Sequence, residues 1–460
     1  MTAAHRIGVQ LAHTMGWPDA PWEQVDVTET ASGLATSMPI ADMAAAAQGL
    51  VGLAAADLFR SRGGPVQLVG IDRWEASLSM TTSSYLLVDG KPAVTWDPLT
   101  GYHRSSDGWV YVHAQFAHLR DGFLKEFGVP ADPDLVRAAL AAMPGQEVED
   151  RAAEAGVCAI RHRTRAEWDA HPQAKALAQR PVVALERVGD ASPLALGDGP
   201  APLAGVRVLD LSRVIAGPTM GRTLAEHGAD VLRISAPHLP SIEPLVISTG
   251  FGKRAAHLDL RTAEGRAGLE ALIREADVLI DGYRPGALAG HGFSRDAVLA
   301  MNPGLILLTL SAFGDTGPWG ARRGFDTYIQ AATGLAASGP DGPQRLPCQP
   351  LDYLSGYLGA AAAIIALLRR QTEGGGWHAD LSLARMAMWV WEQTDALPPE
   401  PSPPAANPKP EALDHLMVRM GSSFGDLTAP RPARHLPESP AALPAAPRPL
   451  GGDAPVWLPR

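Results

Sequence analysis

Between positions 203 and 391, short apolar runs alternate with longer amphipathic stretches. The runs are rich in Val, Ile and Leu, which is typical of strands buried on both faces. Strands alternating with helices predict βαβ units, and therefore an α/β fold with an open parallel sheet and helices on both faces. Ligands in such sheets bind at the carboxyl ends of the strands. The predicted strands are 206–211, 230–234, 255–260, 277–280 and 305–310, and the predicted helices run from Gly217 to about His227 and, capped by Thr262, to Glu275.

The segment before this unit has a mixed pattern. It predicts strands at 85–88, 109–112 and 182–185 and helices at 132–143 and 164–177, with Asp132 as a cap and Pro133 in the first helical position. We assign this segment to a smaller α+β domain. The whole chain divides into an N-terminal segment (1–36), a helix with the small domain (37–195), a Rossmann-like domain (203–396) and a tail (397–460).

Proline dominates the tail composition. Five prolines lie between Pro398 and Pro404, and mixtures of Ala, Pro and Arg continue to the end. Few apolar residues are available there to anchor the chain, so the composition predicts disorder. One short helix is expected at 413–420.

An internal repeat is the strongest sign of organisation. Pro39–Asp42 precedes an Ala-rich helix and a Gly-containing turn, and Pro350–Asp352 precedes a second Ala-rich helix and a similar turn. Two unrelated Ala-rich helices would also give this pattern. The matched aspartate in front of each helix favours duplication.

Composition and charge exclude several classes of function. The 460 residues carry a net charge of −10, whereas a nucleic-acid binder normally presents a basic face. The longest apolar run, 359–368, is half of the roughly 20 residues that a bilayer span needs. Cys158 and Cys348 are too few for a disulfide framework or a zinc site. We therefore expect a cytoplasmic protein that binds neither nucleic acid nor membrane.

Several common catalytic motifs are missing from the sequence. It contains no G-x-G-x-x-G after Leu211, no Walker loop and no H-E-x-x-H. No metal is predicted. Basic residues do fall at strand ends and in loops of the predicted sheet, where they would suit an adenosine diphosphate group. These residues are Arg213, Lys253, Arg254, Arg261, Arg284, Arg322 and Arg323.

Leu203–Pro218 resembles the opening of the class III CoA-transferases, the family of carnitine CoA-transferase and formyl-CoA transferase. Further matching motifs follow in family order through the Rossmann-like region: 228–234, 252–261, 276–286, 302–303, 311–318 and 324–330. The region from Ser37 to about Val188 resembles the later part of the family, including its small domain. The order is thus permuted, and the segment with the aspartate and its helix occurs twice.

The resemblance implies a covalent mechanism through Asp352. In the family, an aspartate attacks an acyl-CoA thioester, and an aspartyl anhydride and an aspartyl-CoA thioester follow before CoA leaves on a new acid. A helix N-terminus would keep the attacking carboxylate ionised. Without the family, Asp352 would be interpreted as an N-cap. Asp42 matches the same motif, but no nucleotide-binding lobe precedes it, and we interpret it as a relic or a cap.

The resemblance also implies a coenzyme A site, with Tyr283 packing near the adenine or the pantetheine. Two positions depart from the family: Gly282 stands where Asn is usual, and Ala236 stands where a basic residue is common. The implied CoA-binding residues are Ile215, Ala216, Leu258, Asp259, Leu260, Arg261, Gly282, Tyr283, Arg284, Arg323, Gly324 and Asp326.

Two other functions stay open. The family includes α-methylacyl-CoA racemases, but their histidine position matches Phe325, which cannot carry a proton. A non-catalytic CoA-binding scaffold is compatible with the permuted order and the missing Asn. For the transferase, the expected partners are an acyl-CoA and a carboxylic acid, and the resemblance implies a homodimer. The acyl group is not specified by the sequence.

Overall fold

The computed structural model describes residues 2–339 and 341–459. Its N-terminal region surrounds one long Ala-rich helix with a second helix and a pair of parallel strands. Buried Ala and Leu side chains fill the contacts between these elements. The elements are α1 (Ala3–Thr14), β1 (Val25–Thr28), α2 (Ile40–Ser61), β2 (Val69–Asp72) and α3 (Arg73–Leu78), with 3₁₀ helices at Trp22–Gln24 and Ser79–Tyr85.

The small domain follows as a strand-and-helix unit with its own core. Val110, Phe123 and Val148 belong to that core. The side chain of Asp132 caps one helix as predicted, whereas the helix expected at 164–177 divides in two at Pro172. The elements are β3 (Leu87–Val88), β4 (Lys91–Pro92), β5 (Gly101–Ser105), β6 (Gly108–Val112), α4 (Ala117–Phe127), α5 (Pro133–Ala141), α6 (Gly145–Glu154), β7 (Ala159–Arg161), α7 (Arg165–Ala170) and α8 (Pro172–Leu177).

A seven-stranded sheet with flanking helices forms the centre of the molecule. Its elements are β8 (Ala184–Arg187), β9 (Arg207–Leu211), α9 (Ala216–Glu226), β10 (Asp230–Ser235), α10 (Glu243–Ser248), β11 (Lys253–His257), α11 (Ala263–Glu275), β12 (Val278–Asp281), α12 (Arg295–Met301), β13 (Ile306–Ser311), α13 (Asp326–Thr333), a hairpin of β14 (Ala337–Gly339) and β15 (Gly342–Gln344), α14 (Pro350–Glu373), β16 (Trp377–Ser382) and α15 (Leu383–Ala396), with a 3₁₀ helix at Ala289–His291.

The strand order is β11-β10-β9-β12-β13-β16-β8, and every pair is parallel except β16 with β8. The predicted α/β fold with a parallel sheet is confirmed. The run at 182–185, however, was wrongly assigned to the small domain, because the strand formed there pairs with β16 at the edge of the central sheet. An isolated apolar run does not encode which sheet it joins.

The two Ala-rich helices of the repeat pack directly against each other, and α14 also packs against α9. By length and hydropathy α2 and α14 resemble membrane spans, but 83% and 94% of their most apolar windows are buried inside the protein. Core helices have the same composition. Small Ala and Gly side chains let these helices approach closely.

The prediction of a disordered tail is wrong. A 3₁₀ helix, Pro410–Leu416, stands where a helix at 413–420 was expected, and two strands follow: β17 (Met417–Ser422) and β18 (Gly425–Pro430). They form a four-stranded antiparallel sheet with β3 and β4. Proline composition predicts disorder when apolar anchors are absent, but here widely spaced side chains such as Leu427 and Leu436 are individually buried.

Arg434 is the largest fully buried side chain that the structure describes in the tail. Its guanidinium donates to Gln48 Oε1 at 2.9 Å, to His227 Nε2 at 2.8 Å and to the carboxylate of Glu226. The tail is thereby connected to α2 and to α9, the helix that follows β9.

Replacing Arg434 with alanine should lower the free energy of unfolding by about 3–5 kcal/mol, because it leaves buried polar partners unpaired. Urea unfolding followed by circular dichroism measures this. The matched control is Arg431→Ala, since Arg431 pairs with Glu75 but its side chain is 42% exposed, and surface pairs contribute about 0–1 kcal/mol. Equal losses in the two variants would contradict the anchoring role.

Candidate functional site

A cavity of about 980 Å³ lies at the carboxyl ends of β9, β10, β12 and β13. This is the location that the parallel sheet predicts. The small domain closes one side through the loop that follows β6 and the start of α4. Eleven of the twelve residues predicted to bind CoA line its wall, together with Asp352: Ile215, Ala216, Leu258, Asp259, Leu260, Arg261, Gly282, Tyr283, Arg284, Arg323 and Gly324.

Asp352 lies in the first turn of α14, on the cavity wall, and is 6% exposed. Within residues 2–339 and 341–459, no hydrogen bond or ion pair reaches its carboxylate. Burial and the nearby Asp326 raise the pKa of Asp352 well above its ordinary value. Burial and Asp326 therefore oppose the effect that was expected of the helix N-terminus. A less acidic carboxylate is a more basic, and so stronger, nucleophile once ionised.

Asp326 does not line the cavity, so its predicted contact with CoA is not what the structure shows. Its Oδ2 accepts hydrogen bonds from the backbone N–H groups of Leu351 at 2.7 Å and Asp352 at 2.9 Å. Gln330 donates to the other oxygen. Asp326 thus caps α14 from a neighbouring helix and holds Asp352 in place. Burial raises the pKa of Asp326.

The turn between β9 and α9 is strained where it borders the cavity. Val214 has a φ of 72°, which is unfavourable for a β-branched residue. A Cβ at position 282 would lie 2.7 Å from the Cβ of Ser212. Position 282 therefore requires glycine, and the departure from the family's Asn follows from the close approach of this turn.

Positive charge collects on the cavity wall. Arg213, Arg284, Arg323 and His118 all line it, and among the described residues none of them forms an ion pair with a carboxylate. Burial lowers the pKa of His118, and repulsion from Arg323 and Arg213 lowers it further. The uncompensated guanidinium groups of Arg213, Arg284 and Arg323 suit a phosphate-bearing ligand.

Two of the predicted cations lie elsewhere, and Arg261 is already paired. Lys253 is buried at the start of β11, 2.7 Å from Asp210 Oδ2. Arg254 pairs with Asp230. Arg261 lines the cavity but forms a 2.6 Å ion pair with Asp259. The strand predicted at 255–260 begins at Lys253 instead. Lys253 and Arg254 therefore lie at the start of β11, at the end of the strand opposite to the cavity.

Sequence reasoning missed the contribution of the small domain. Gln115, Phe116 and His118 follow strand β6 and reach the cavity. His238 also lines the wall, two positions after Ala236, where a basic residue was missing. These residues could have been found in the sequence only from their positions after β6 and β10. No sequence motif marks either position.

Asp42, the second aspartate of the repeat, is engaged in a buried ion cluster. Arg73 donates to both of its carboxylate oxygens, at 3.1 and 2.8 Å, and also contacts Glu400 at 2.6 Å. Asp42 does not line the cavity. The structure therefore supports a structural role for it.

Phe325 lines the cavity where the racemases carry histidine. The ring of His113 lies 4.0 Å from the ring of Phe325. Burial, with a smaller effect of Arg345, lowers the pKa of His113 to about 3. His113 is not on the cavity wall, so it does not replace the missing proton carrier.

No group of three or more potential metal-ligating side chains occurs in the parts of the chain that the structure describes. The wall of the main cavity instead combines carboxylates with arginine, histidine and apolar side chains.

Comparison with known proteins gives consistent matches. Curated relatives include an acetyl-coenzyme A transferase of Hypoxylon pulicicidum, 35% identical over 41% of this chain and 33% of its own. A succinate–glutarate CoA-transferase of Agrobacterium fabrum is 34% identical over 40% of this chain and 51% of its own. A probable fatty acyl-CoA transferase of Mycobacterium tuberculosis is 32% identical over 48% of this chain and 60% of its own. The chain thus spans 33–60% of the length of these three relatives.

Solved structures also match. A CAIB/BAIF family protein from Brucella suis is 31% identical with a TM-score of 0.40, over 43% of this chain and 57% of that chain. A protein from Mycobacterium tuberculosis is 30% identical with a TM-score of 0.41, over 45% of this chain and 58% of that chain. The family model of CoA-transferase family III matches residues 10–195 and 203–411. The resemblance found in the sequence is confirmed, and this chain belongs to CoA-transferase family III.

Proposed function

We propose that this protein is a CoA-transferase that moves CoA from an acyl-CoA thioester to a carboxylic acid, with Asp352 as the covalent nucleophile. The observation that carries the proposal is the position of Asp352: a carboxylate without a partner among the described residues, on the wall of a cavity rich in uncompensated cations. The names of three relatives describe them as an acetyl-coenzyme A transferase, a succinate–glutarate CoA-transferase and a probable fatty acyl-CoA transferase.

The reaction begins with attack of an Asp352 oxygen on the thioester carbon. A C–O bond forms, the C–S bond breaks, and CoA leaves as a thiolate. The thiolate then attacks the Asp352 carbonyl carbon, forming the aspartyl-CoA thioester and releasing the donor acid as a carboxylate. The acceptor carboxylate attacks this thioester, and the freed thiolate attacks the acceptor's carbonyl. Asp352 regains its carboxylate, and no proton is gained or lost overall.

Asp326 supports this chemistry electrostatically. Ionised Asp352 is repelled by a neighbouring carboxylate that hydrogen-bonds to its own backbone N–H. Both covalent intermediates are uncharged at Asp352, so acylation relieves the repulsion. Destabilising the free carboxylate in this way favours formation of the intermediates.

The cavity wall can bind the remainder of CoA. Arg213, Arg284 and Arg323 offer donors to phosphate groups. Tyr283 is within 5.7 Å of the Arg213 guanidinium and presents an aromatic face. We propose CoA as the only cofactor-like group, present as substrate. A homodimer, which the family resemblance implies, would carry one such cavity in each chain.

Hydroxylamine trapping tests the proposal. The protein is incubated with acetyl-CoA or succinyl-CoA, without an acceptor acid, and then treated with hydroxylamine. Peptide mass spectrometry should find a hydroxamate at Asp352 and none at Asp42, the matched aspartate of the repeat. CoA binding without any hydroxamate would favour a scaffold instead. Loss of deuterium from an α-deuterated 2-methylacyl-CoA would favour a racemase.

A further inference from the structure

A second, smaller cavity of about 370 Å³ adjoins the small domain. Arg163 and His171 line it from that domain, and Trp319 and Arg322 line it from the loop before α13. Among the described residues, Arg322 is the one that lines both this cavity and the main one. Arg322 therefore borders both spaces.

Arg322 keeps binding capacity for a ligand. Its nearest carboxylate, Glu149, already accepts two hydrogen bonds from Arg163, at 2.7 and 3.0 Å, and one from the backbone N–H of Arg161 at 3.0 Å. Arg322 reaches Glu149 only through Nη1 at 3.3 Å. The side chain of Glu149 is 1% exposed and that of Arg322 is 25% exposed. Since Arg163 neutralises Glu149, Arg322 retains most of its charge and several of its donors.

Stacking holds this guanidinium in position. The guanidinium carbon of Arg322 lies 4.4 Å from the centroid of the Trp319 ring. Stacking uses the face of a guanidinium and leaves its in-plane N–H donors free for a carboxylate. Burial and repulsion from Arg163 and Arg322 lower the pKa of His171, whose ring also contacts Trp319. Arg161, Arg163 and Arg322 are the arginines that line this cavity, and among them Arg322 also lines the main cavity.

The proposed reaction creates a need for a second route. After its first two steps CoA is joined to Asp352 through a thioester, so it stays in the main cavity while one acid leaves and another enters. The bulk of the cofactor then fills much of the main cavity. Acids must exchange through the remaining space.

We propose that the second cavity is the entrance for carboxylic acids and that Arg322 binds the carboxylate of the acceptor on its way to the aspartyl-CoA thioester. This inference rests on the proposed transferase function. The ligand is a small carboxylic acid, which fits the available volume and pairs with a guanidinium through two hydrogen bonds. Arg322 is a binding residue for the acceptor and takes no part in acylation of Asp352.

The two half-reactions test this separately. Acetyl-CoA or succinyl-CoA loads the enzyme without acceptor, and intact mass spectrometry follows the enzyme–CoA thioester. Acetate, succinate or glutarate then discharges it at increasing concentration. The variants are Arg322→Ala, Arg322→Lys and, as a control, Arg137→Ala, an exposed arginine of α5 paired with Asp134. Thermal unfolding shows that each variant is folded, and Arg322→Lys keeps the test valid if alanine destabilises the loop.

Arg322→Ala should load CoA at a rate within about twofold of the wild type. The acceptor concentration that gives half-maximal discharge should rise about tenfold or more, because the charge-assisted hydrogen bonds to the guanidinium are lost. Lysine should restore part of this loss, and Arg137→Ala should change neither step. An unchanged acceptor dependence in Arg322→Ala, or equal slowing of both steps, would overturn the inference. If the wild type loads no CoA from any donor, the transferase function itself fails, and this inference fails with it.

Discussion

Asp352→Asn should abolish CoA transfer, with kcat falling at least about a thousandfold, while CoA binding is retained. An amide of the same shape cannot attack a thioester, and loss of a covalent nucleophile removes the whole pathway. The cations of the cavity wall are unchanged, so the affinity for free CoA should stay within about threefold. Exchange of CoA between a thioester and an acid measures the first effect, and isothermal titration calorimetry with CoA measures the second.

Asp42→Asn is the matched control for this experiment. Asp42 occupies the equivalent position of the repeat but contacts Arg73 and lies off the cavity wall. Transfer should persist in this variant, and the expected change is a loss of stability from a weakened buried ion cluster. Transfer that survives in Asp352→Asn, or disappears equally in both variants, would remove the basis of the proposed mechanism.

Asp326→Asn should move the acidic limb of the activity profile to lower pH and reduce the maximal kcat. Asp352 must lose its proton to attack, and a neighbouring carboxylate raises its pKa. Without that negative charge Asp352 ionises at lower pH, but it becomes a weaker nucleophile and gains less from acylation. The asparagine oxygen can still accept from the N–H groups at the start of α14, so the helix remains capped. Measurement of kcat between pH 5 and 9 follows the shift.

Stability should respond to the same charge. A carboxyl group whose pKa is higher in the folded protein than its ordinary value of about 3.9 binds more protons when folded. Its contribution to stability is therefore lost as pH rises from about 4 through the raised pKa. Asp326→Asn should flatten this decline. Asp315→Asn, at an exposed aspartate that pairs with Arg180, should change neither profile. A uniform fall in kcat with an unmoved acidic limb would mean that Asp326 acts only as a cap.

The central sheet was predictable because its signal is local. Each parallel strand is a short apolar run buried on both faces, so runs such as 206–211 and 305–310 identify it without knowledge of their neighbours. Residues just beyond the strand ends then fall on one edge, which is why most of the predicted CoA-binding residues reach the same cavity. Asp352 was located by the family resemblance, and it lies on the same cavity wall.

The failures concern contacts between distant segments. Asp326 caps α14 by accepting hydrogen bonds from two backbone N–H groups of that helix. The residues around position 326 do not indicate this contact, because α14 lies later in the sequence. The ionisation of Asp352 was misjudged for the same reason: the helix N-terminus is a local feature, whereas burial and a second carboxylate are tertiary ones. The tail was misjudged because individual anchors such as Arg434 do not change its average composition.

The sheet that joins the tail to the small domain has a consequence for biosynthesis. The hydrogen bond between Asp426 and Asp89 spans 337 positions, and that between Arg434 and Gln48 spans 386. Contacts so distant in sequence form slowly. On the ribosome, the surface of α2 around Gln48 stays incomplete until the chain has been synthesised beyond Arg434. A nascent chain in that state has exposed hydrophobic surface of the kind that chaperones recognise.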